Sequence, residues 1–429
     1  MKKEEQTITR RDFLKSNAIL AGGALLPLNV VKGKNAKERP NILWITSEDN
    51  SPLFGCYGDP LATTPNLDRL AEQGVRYTNA YATAPVCAPA RNTIITGMYA
   101  SALGNANMRS NYPVPESIKF YPQYLRAAGY YCTNNSKEDY NTVKPDDVWD
   151  ESSNTAHYKN RKPGQPFFAI FNLTVSHESR VHYTVLKDRE ELKHDPAKVK
   201  LPPYHPDTPE MRHCWAQYYD QISELDRQAG EIIKELEDAG LAEDTIVFYY
   251  SDHGGVLPRS KRFLYNSGTH VPFIIRFPEK YQHLAPGKPG TTVNRMISFV
   301  DLAPTLLSLS GVDVPERMQG DAFLGDQKTK DPQYVLGIRN RMDERIDLMR
   351  SLRDERFLYI RNYMPHRPYG QYLRYLWRMP ATRSWEKEYL EGRCNEVQSR
   401  FWQEKPAEEL YDVKADPHNV NNLDRKSVV

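Results

Sequence analysis

Apolar residues along this chain come in two rhythms. Short continuous runs, "NILWIT" (41–46), "PFFAIFNLTV" (166–175) and "TIVFYYS" (245–251), are rich in β-branched and aromatic residues and read as buried strands. Between them the spacing turns helical. In "TPNLDRLAEQG" (64–74), Pro65 opens the segment, Leu67, Leu70 and Ala71 share a face, and Gly74 stops it. "PQYLRAAGYYCTN" predicts a second helix running into a strand, and the longest helix is expected within 209–239, closed by Gly240. Continuous apolar strands separated by helices predict an α/β fold, a large mostly parallel sheet sandwiched by helices. After "VDLAPTLLSLSGV" (300–312) the runs shorten and Arg, Tyr and Pro accumulate. The expected division is therefore a main domain over 37–312 and a smaller C-terminal α+β subdomain over 313–429.

The first 36 residues stand apart. A charged start, the pair Arg10-Arg11 before "DFLK", and an apolar run from about Ala18 to Val31 read as a twin-arginine-type export signal. That run is too short for a membrane span. The chain as a whole has the makeup of an ordinary globular protein, 39% hydrophobic and 26% charged, with 57 basic against 55 acidic residues. A net charge of +2 points to no nucleic-acid partner. The five cysteines are scattered with no CxxC pair, which disfavours a zinc ribbon or a dense disulfide framework but leaves room for one or two bridges.

Candidate chemistry gathers where strands end. "NILWIT" runs into Ser47-Glu48-Asp49-Asn50, "TIVFYYS" into Asp252-His253-Gly254-Gly255, and "FFAIFNLTV" into Ser176-His177-Glu178. Open α/β sheets bind ligands beyond the carboxyl ends of their strands. The bland alternative is three capped strand ends. An oxygen-rich cluster of this kind suits a hard divalent cation such as Ca²⁺. Cys87 adds to it: Pro89 fits the first turn of a helix, Cys87 then lies at that helix's N-terminus, and Arg91 follows one turn later. A dication, a guanidinium and a helix N-terminus together suit an oxyanion ester, sulfate or phosphate.

Cys87-Ala88-Pro89-Ala90-Arg91 fits the C-x-P-x-R signature of the sulfatases. "RPNILWITSED", "TTPNLDRLAEQGVRYTNAYA", "YYSDHGG", "GTHVPFIIRFP", "FVDLAPTLLSLSGV" and "PAEELYDVKADPHNVNNL" also resemble sulfatase segments, in family order, over about residues 39 to 424. Within the family the likeness is nearest to the heparan sulfamidases. The resemblance implies an alkaline-phosphatase-like fold, with 37–312 as the catalytic domain. It implies that a separate maturation enzyme oxidises Cys87 to Cα-formylglycine. One hydroxyl of the aldehyde hydrate would attack sulfur in line, and the other would drive elimination of sulfate. Glu48, Asp49, Asp252, His253 and modified Cys87 would ligate one Ca²⁺. Arg91 would hold the hydrate, Lys137 and Lys261 would bind sulfate, and His177 would protonate the leaving group.

Three positions depart from the family pattern. Glu48-Asp49 stands where two aspartates are usual, His253 where Asn is common, and Asp139 where His is common, two residues after Lys137. Asp139 is therefore expected to serve as the base of the elimination step. The resemblance implies an exported, periplasmic bacterial enzyme acting on a sulfated oligosaccharide or polysaccharide, heparan-type glucosamine foremost, and is compatible with a homodimer. Twelve arginines between 339 and 393, among them Arg341, Arg345, Arg367 and Arg374, interleave with aromatics in a manner suited to sulfated sugars or to a salt-bridged surface. The alternatives are a phosphonate or phosphodiester hydrolase of the same superfamily and a glycan-binding protein without catalysis.

Overall fold

A computed structural model of the protein describes residues 39–182 and 192–424. The expected export signal, residues 1 to 36, lies outside the described residues. From Arg39 onward the chain forms one compact unit.

Its centre is an eight-stranded sheet. The strands are β1 (Asn41–Ser47), β2 (Val75–Tyr81), β3 (Tyr131–Asn135), β4 (Glu151–Ser152), β5 (Phe167–Leu173), β6 (Thr245–Ser251), β7 (His270–Arg276) and β8 (Thr292–Ser298). They lie in the order β4-β3-β5-β1-β6-β7-β2-β8. Every pairing is parallel except the two that β7 makes with β6 and β2. Because β7 reverses between them, β2 and β6 point the same way, and the carboxyl ends of β1, β2, β3, β5 and β6 share one edge.

The main helices, in chain order, are α1 (Pro65–Gln73), α2 (Cys87–Thr96), α3 (Tyr121–Ala127), α4 (Pro209–Asp238), α5 (Leu302–Leu309) and α6 (Pro380–Leu390). Both faces of the sheet are covered, as the unbroken apolar strands demand. In β1, Leu43 and Ile45 pack with Leu67 of α1, Leu225 of α4 and Trp385 of α6. Ile42 and Trp44 face the opposite way, toward Ile95 of α2, Tyr121 of α3 and Leu306 of α5. Trp44 alone meets four rings, those of Tyr121, Phe168, Phe248 and Tyr250, at 5.1 to 5.9 Å between centroids.

A second, antiparallel sheet follows in the C-terminal region: β9 (Val335–Arg339), β10 (Met349–Arg353), β11 (Phe357–Asn362) and β12 (Glu408–Asp412), in the order β12-β11-β10-β9. Its inner residues Met349, Leu358 and Ile360 join the core on the α4 side. The bridges left open by the cysteine count do not form, and all five cysteines are free. No described helix is long and apolar enough to cross a membrane.

Candidate active site

The shared strand edge collects the candidate residues because the register makes their strands end level. Ser47 pairs with Ser251, so the residues that follow β1 and β6 emerge side by side. The Asp49 amide donates to Asp252 Oδ1 at 3.1 Å, and the Asn50 amide to Ser251 Oγ at 2.9 Å. Asp49 adopts a left-handed backbone (φ 56°), an uncommon conformation for a residue with a side chain. Tyr218 of α4 holds that turn by donating to the Asp49 carbonyl at 2.6 Å, and Ser176 after β5 donates to the Glu48 carbonyl at 2.6 Å.

Cys87 is the first residue of α2 and is buried. The residue ahead of it, Val86, has no side chain that can cap, so the first-turn amides are left for something else. Burial pushes the thiol up to about 12, although Lys137 and Lys261 pull the other way. A thiol so placed offers almost no thiolate at neutral pH. Arg91 Nε donates to Asp252 Oδ2 at 3.1 Å and Nη1 to Asn172 Oδ1 at 2.7 Å, while Nη2 lies 3.7 Å from Glu48 Oε1.

Lys261 comes from the loop after β6. That loop folds tightly because Gly254 lies against the Ser267–Gly268 backbone, where a Cβ would sit 2.4 Å from a carbonyl oxygen. The buried Lys261 Nζ donates to both Asp49 oxygens at 2.9 and 2.8 Å. Burial raises the Asp49 carboxyl, but Lys261 and His253 more than reverse that and hold it well below the usual carboxylate range. Asp252 is lowered in the same way, burial being outweighed by His253 and Arg91.

His253 is the most telling group. Its Nδ1 faces the Gly254 carbonyl at 3.0 Å and so carries the proton. Its Nε2 is buried and makes no hydrogen bond of good geometry, 2.8 Å from Asp49 Oδ1 and 3.7 Å from Asp252 Oδ1. A ring nitrogen and two carboxylate oxygens turned toward one another call for a proton or a cation between them. Asp49, Asp252 and His253 bring one ligand atom each within 4.8 Å of one another, so the donor set fits a divalent cation. Glu48 stands outside this trio. Its carboxylate pairs with Lys137 Nζ and faces Arg91.

The other expected residues are placed nearby. Lys137 follows β3, and its Nζ is 3.8 Å from Asp139 Oδ2. Asp139 is itself left-handed (φ 46°). His177 Nδ1 accepts the Ser179 amide at 3.3 Å and lies 2.9 Å from Ser179 Oγ. Burial and the Lys261 charge lower the His177 pKa. The carboxyl of its neighbour Glu178 turns inward to a bidentate pair with Arg262 at 3.0 and 2.9 Å, while its amide donates to Asp49 Oδ2. Glu178, one of the strand-end acids, is a structural partner, and Asn172 and Arg262 are partners that sequence reasoning passed over; the sole signal for Arg262 was its place next to Lys261, and Asn172 gave none. Glu48, Asp49, Asp139, Glu178, Asp252 and Asp343 thus meet Arg91, Lys137, Lys261 and Arg262, six acids against four bases, and a bound dication would balance the formal charge.

Fold and site define an α/β enzyme whose sheet edge gathers a helix N-terminus, fixed cations and a three-residue donor set, an arrangement suited to an oxyanion ester. The sulfatase family model matches residues 40–312, and the chain belongs to that family. Its activity is that of a sulfuric ester hydrolase. An ulvan-active sulfatase of Formosa agariphila is 40% identical over 444 residues, 92% of this chain and 73% of the relative. Human N-sulphoglucosamine sulphohydrolase is 25% identical over 318 residues, 65% of this chain and 62% of the relative. An enzyme solved with its substrate D-glucosamine-2-N,6-O-disulfate superposes with a TM-score of 0.64 at 19% identity, over 91% of this chain and 94% of that one.

Proposed function

We propose that this protein is an exported periplasmic sulfatase that removes sulfate from a sulfated glycan, with Cys87 in its Cα-formylglycine form and one Ca²⁺ held by Asp49, Asp252 and His253. The observation that carries this reading is the buried Asp49, Asp252 and His253 group, one ligand atom of each within 4.8 Å of the others, beside an uncapped helix end. When bound, Ca²⁺ supplies Lewis acidity toward sulfate oxygens. The aldehyde, made by a separate maturation enzyme, supplies a hydroxyl nucleophile where the thiol is inert.

The chain's own residues then divide the work. Lys261 and Lys137, which now hold Asp49 and Glu48, offer ammonium groups to the sulfate oxygens. Arg91, pinned by Asp252 and Asn172, fixes the nucleophile's surroundings and offsets charge. His177 accepts the Ser179 amide on Nδ1, which leaves Nε2 to carry a proton to the departing oxygen or nitrogen. Asp139, beside Lys137, takes the proton of the second hydroxyl during sulfate elimination.

For the substrate, identity of 40% over 92% of the chain to an ulvan-active relative, against 25% over 65% to the sulphoglucosamine enzyme, puts an ulvan-type glycan ahead of heparan-type glucosamine. The test is inorganic sulfate release by converted, metal-loaded protein from ulvan fragments, N-sulfated glucosamine and 6-O-sulfated glucosamine, with an aryl phosphate alongside. Sulfate release fastest from ulvan fragments is expected. A faster aryl phosphate rate would favour the phosphonate or phosphodiester hydrolase instead. Tight binding of the glycan without release would favour the inactive binder.

A further inference from the structure

Backbone strain in this molecule is concentrated. Three of the left-handed residues that are not glycine, Arg109 (φ 58°), Asp139 (φ 46°) and Asn141 (φ 58°), line a single cleft of about 280 Å³. Such conformations persist only where surrounding contacts impose them, and they gather at functional sites. Here Asn141 imposes one: its Nδ2 donates to the carbonyls of Asn105 and Asn107 at 2.5 and 2.7 Å, and its Oδ1 accepts the Ser110 amide at 2.7 Å. The loop carrying Arg109 is stapled in place, although Arg109 itself is exposed.

The cleft adjoins the nucleophile. Met108, next to Arg109, packs with Val86, Cys87 and Ala88. Asp139, on the cleft wall, lies 3.8 Å from the sulfate-facing Lys137. The charges in the cleft differ in how they are held. Lys144 Nζ pairs with Glu138 Oε1 at 2.5 Å, and Glu138 also accepts Ser152 Oγ at 2.6 Å. No hydrogen bond or ion pair among the described residues holds the Arg109 guanidinium. That guanidinium pulls through space on the Asp343 carboxyl, which Arg262 already holds, so a fork of five donors on a stapled loop at the mouth of an oxyanion site keeps its hydrogen-bonding capacity.

We propose that this cleft receives the sugar bearing the scissile sulfate and that Arg109 pairs with a second oxyanion on the glycan, making it a specificity-determining residue for doubly anionic substrates. The inference rests on the sulfatase reading of the adjoining site. Ring hydroxyls face the polar walls formed by Ser110, Asn111 and Thr142, and the second anion, a carboxylate or another sulfate, meets the guanidinium.

The test compares kcat/KM for three probes: 4-nitrophenyl sulfate, a sulfated disaccharide with a uronate carboxyl, and glucosamine 2-N,6-O-disulfate. Arg109→Asn removes the charge while keeping a residue that tolerates left-handed backbone, and Arg109→Lys keeps the charge without the fork. In Arg109→Asn the preference for a dianionic sugar over the aryl sulfate is expected to fall about 10- to 100-fold, mainly through KM, with partial recovery in Arg109→Lys. Loss with the uronate alone names a carboxylate as the partner, and loss with the disulfate alone names a sulfate. An unchanged preference, or an equal fall on all three probes, overturns the proposal. Wild-type protein inactive on every probe would instead sink the sulfatase reading itself.

Discussion

Two regions of this protein bury ionised groups, and they treat them differently. In the C-terminal region Glu409 is fully buried and every oxygen is engaged: Oε1 accepts Tyr369 and Asn362 at 2.5 and 2.7 Å, and Oε2 accepts Tyr265 and Tyr411 at 2.8 and 2.5 Å. Lys405 is likewise spent, its Nζ donating to both Asp347 oxygens and to the Arg367 carbonyl. At the carboxyl edge of the large sheet, charges are as deeply buried but incompletely answered. His253 Nε2 makes no hydrogen bond, α2 begins uncapped, and Asp49, Asp139 and Arg262 hold left-handed backbone. The Glu409 and Lys405 carboxylate and ammonium groups are saturated scaffold, although Arg339 and Arg353 nearby each keep a buried Nε without a partner; the sheet edge differs in joining an open donor set to strained backbone.

The largest effect expected from this contrast is on the open side. Cys87→Ala should lower kcat for sulfate release by about four orders of magnitude or more while the unfolding midpoint stays put, since one small buried side chain replaces another. A chelator should come next. Removing the cation is expected to abolish turnover and lower the melting temperature, and adding Ca²⁺ back should restore both. Activity unaffected by exhaustive chelation would contradict the metal trio. On the closed side, Glu409→Ala strands three hydroxyls and an amide. It should cost about 3–5 kcal/mol in denaturant unfolding, with kcat of the folded enzyme within about twofold of wild type.

The last effect, small near neutral pH and growing only on acidification, is a pH dependence that belongs to the scaffold. His205 accepts Trp215 Nε1–H on Nδ1 at 3.1 Å and donates from Nε2 to the Pro258 carbonyl at 2.9 Å, so the fold holds it neutral. Burial lowers its pKa to about 3. The unfolded chain therefore binds the extra proton first, and stability should fall as pH drops from about 6.5 toward 3, with no contribution above that window. His205→Gln should flatten this slope in pH-resolved unfolding, whereas a slope unchanged in the variant would assign it elsewhere.

How much of this was legible beforehand differs by level. β1 and β6 were readable because apolar runs of their length leave few alternatives, and the acids after them were visible as strand endings. Strand direction was not: "HVPFIIR" is an apolar, β-branched run like the parallel strands, yet β7 runs against its neighbours β6 and β2. The run ending at 175 stops as a strand at Leu173, because the His177 amide turns back to the Thr174 carbonyl at 3.2 Å. Within the site, residue types predicted the gathering but not the pairings. Glu48 and Asp49 are adjacent acids, yet one goes to Lys137 and the other to Lys261 and His253. Arg109 carried no signal in the sequence, since its role depends on a loop pinned by Asn141 from some thirty residues away.

The most direct measurement is mass spectrometry of the peptide spanning Cys87 in protein taken from an active preparation. An aldehyde or its hydrate at position 87, in proportion to the sulfate-releasing activity, is the predicted result. Full activity with an unmodified thiol at that position would contradict the account.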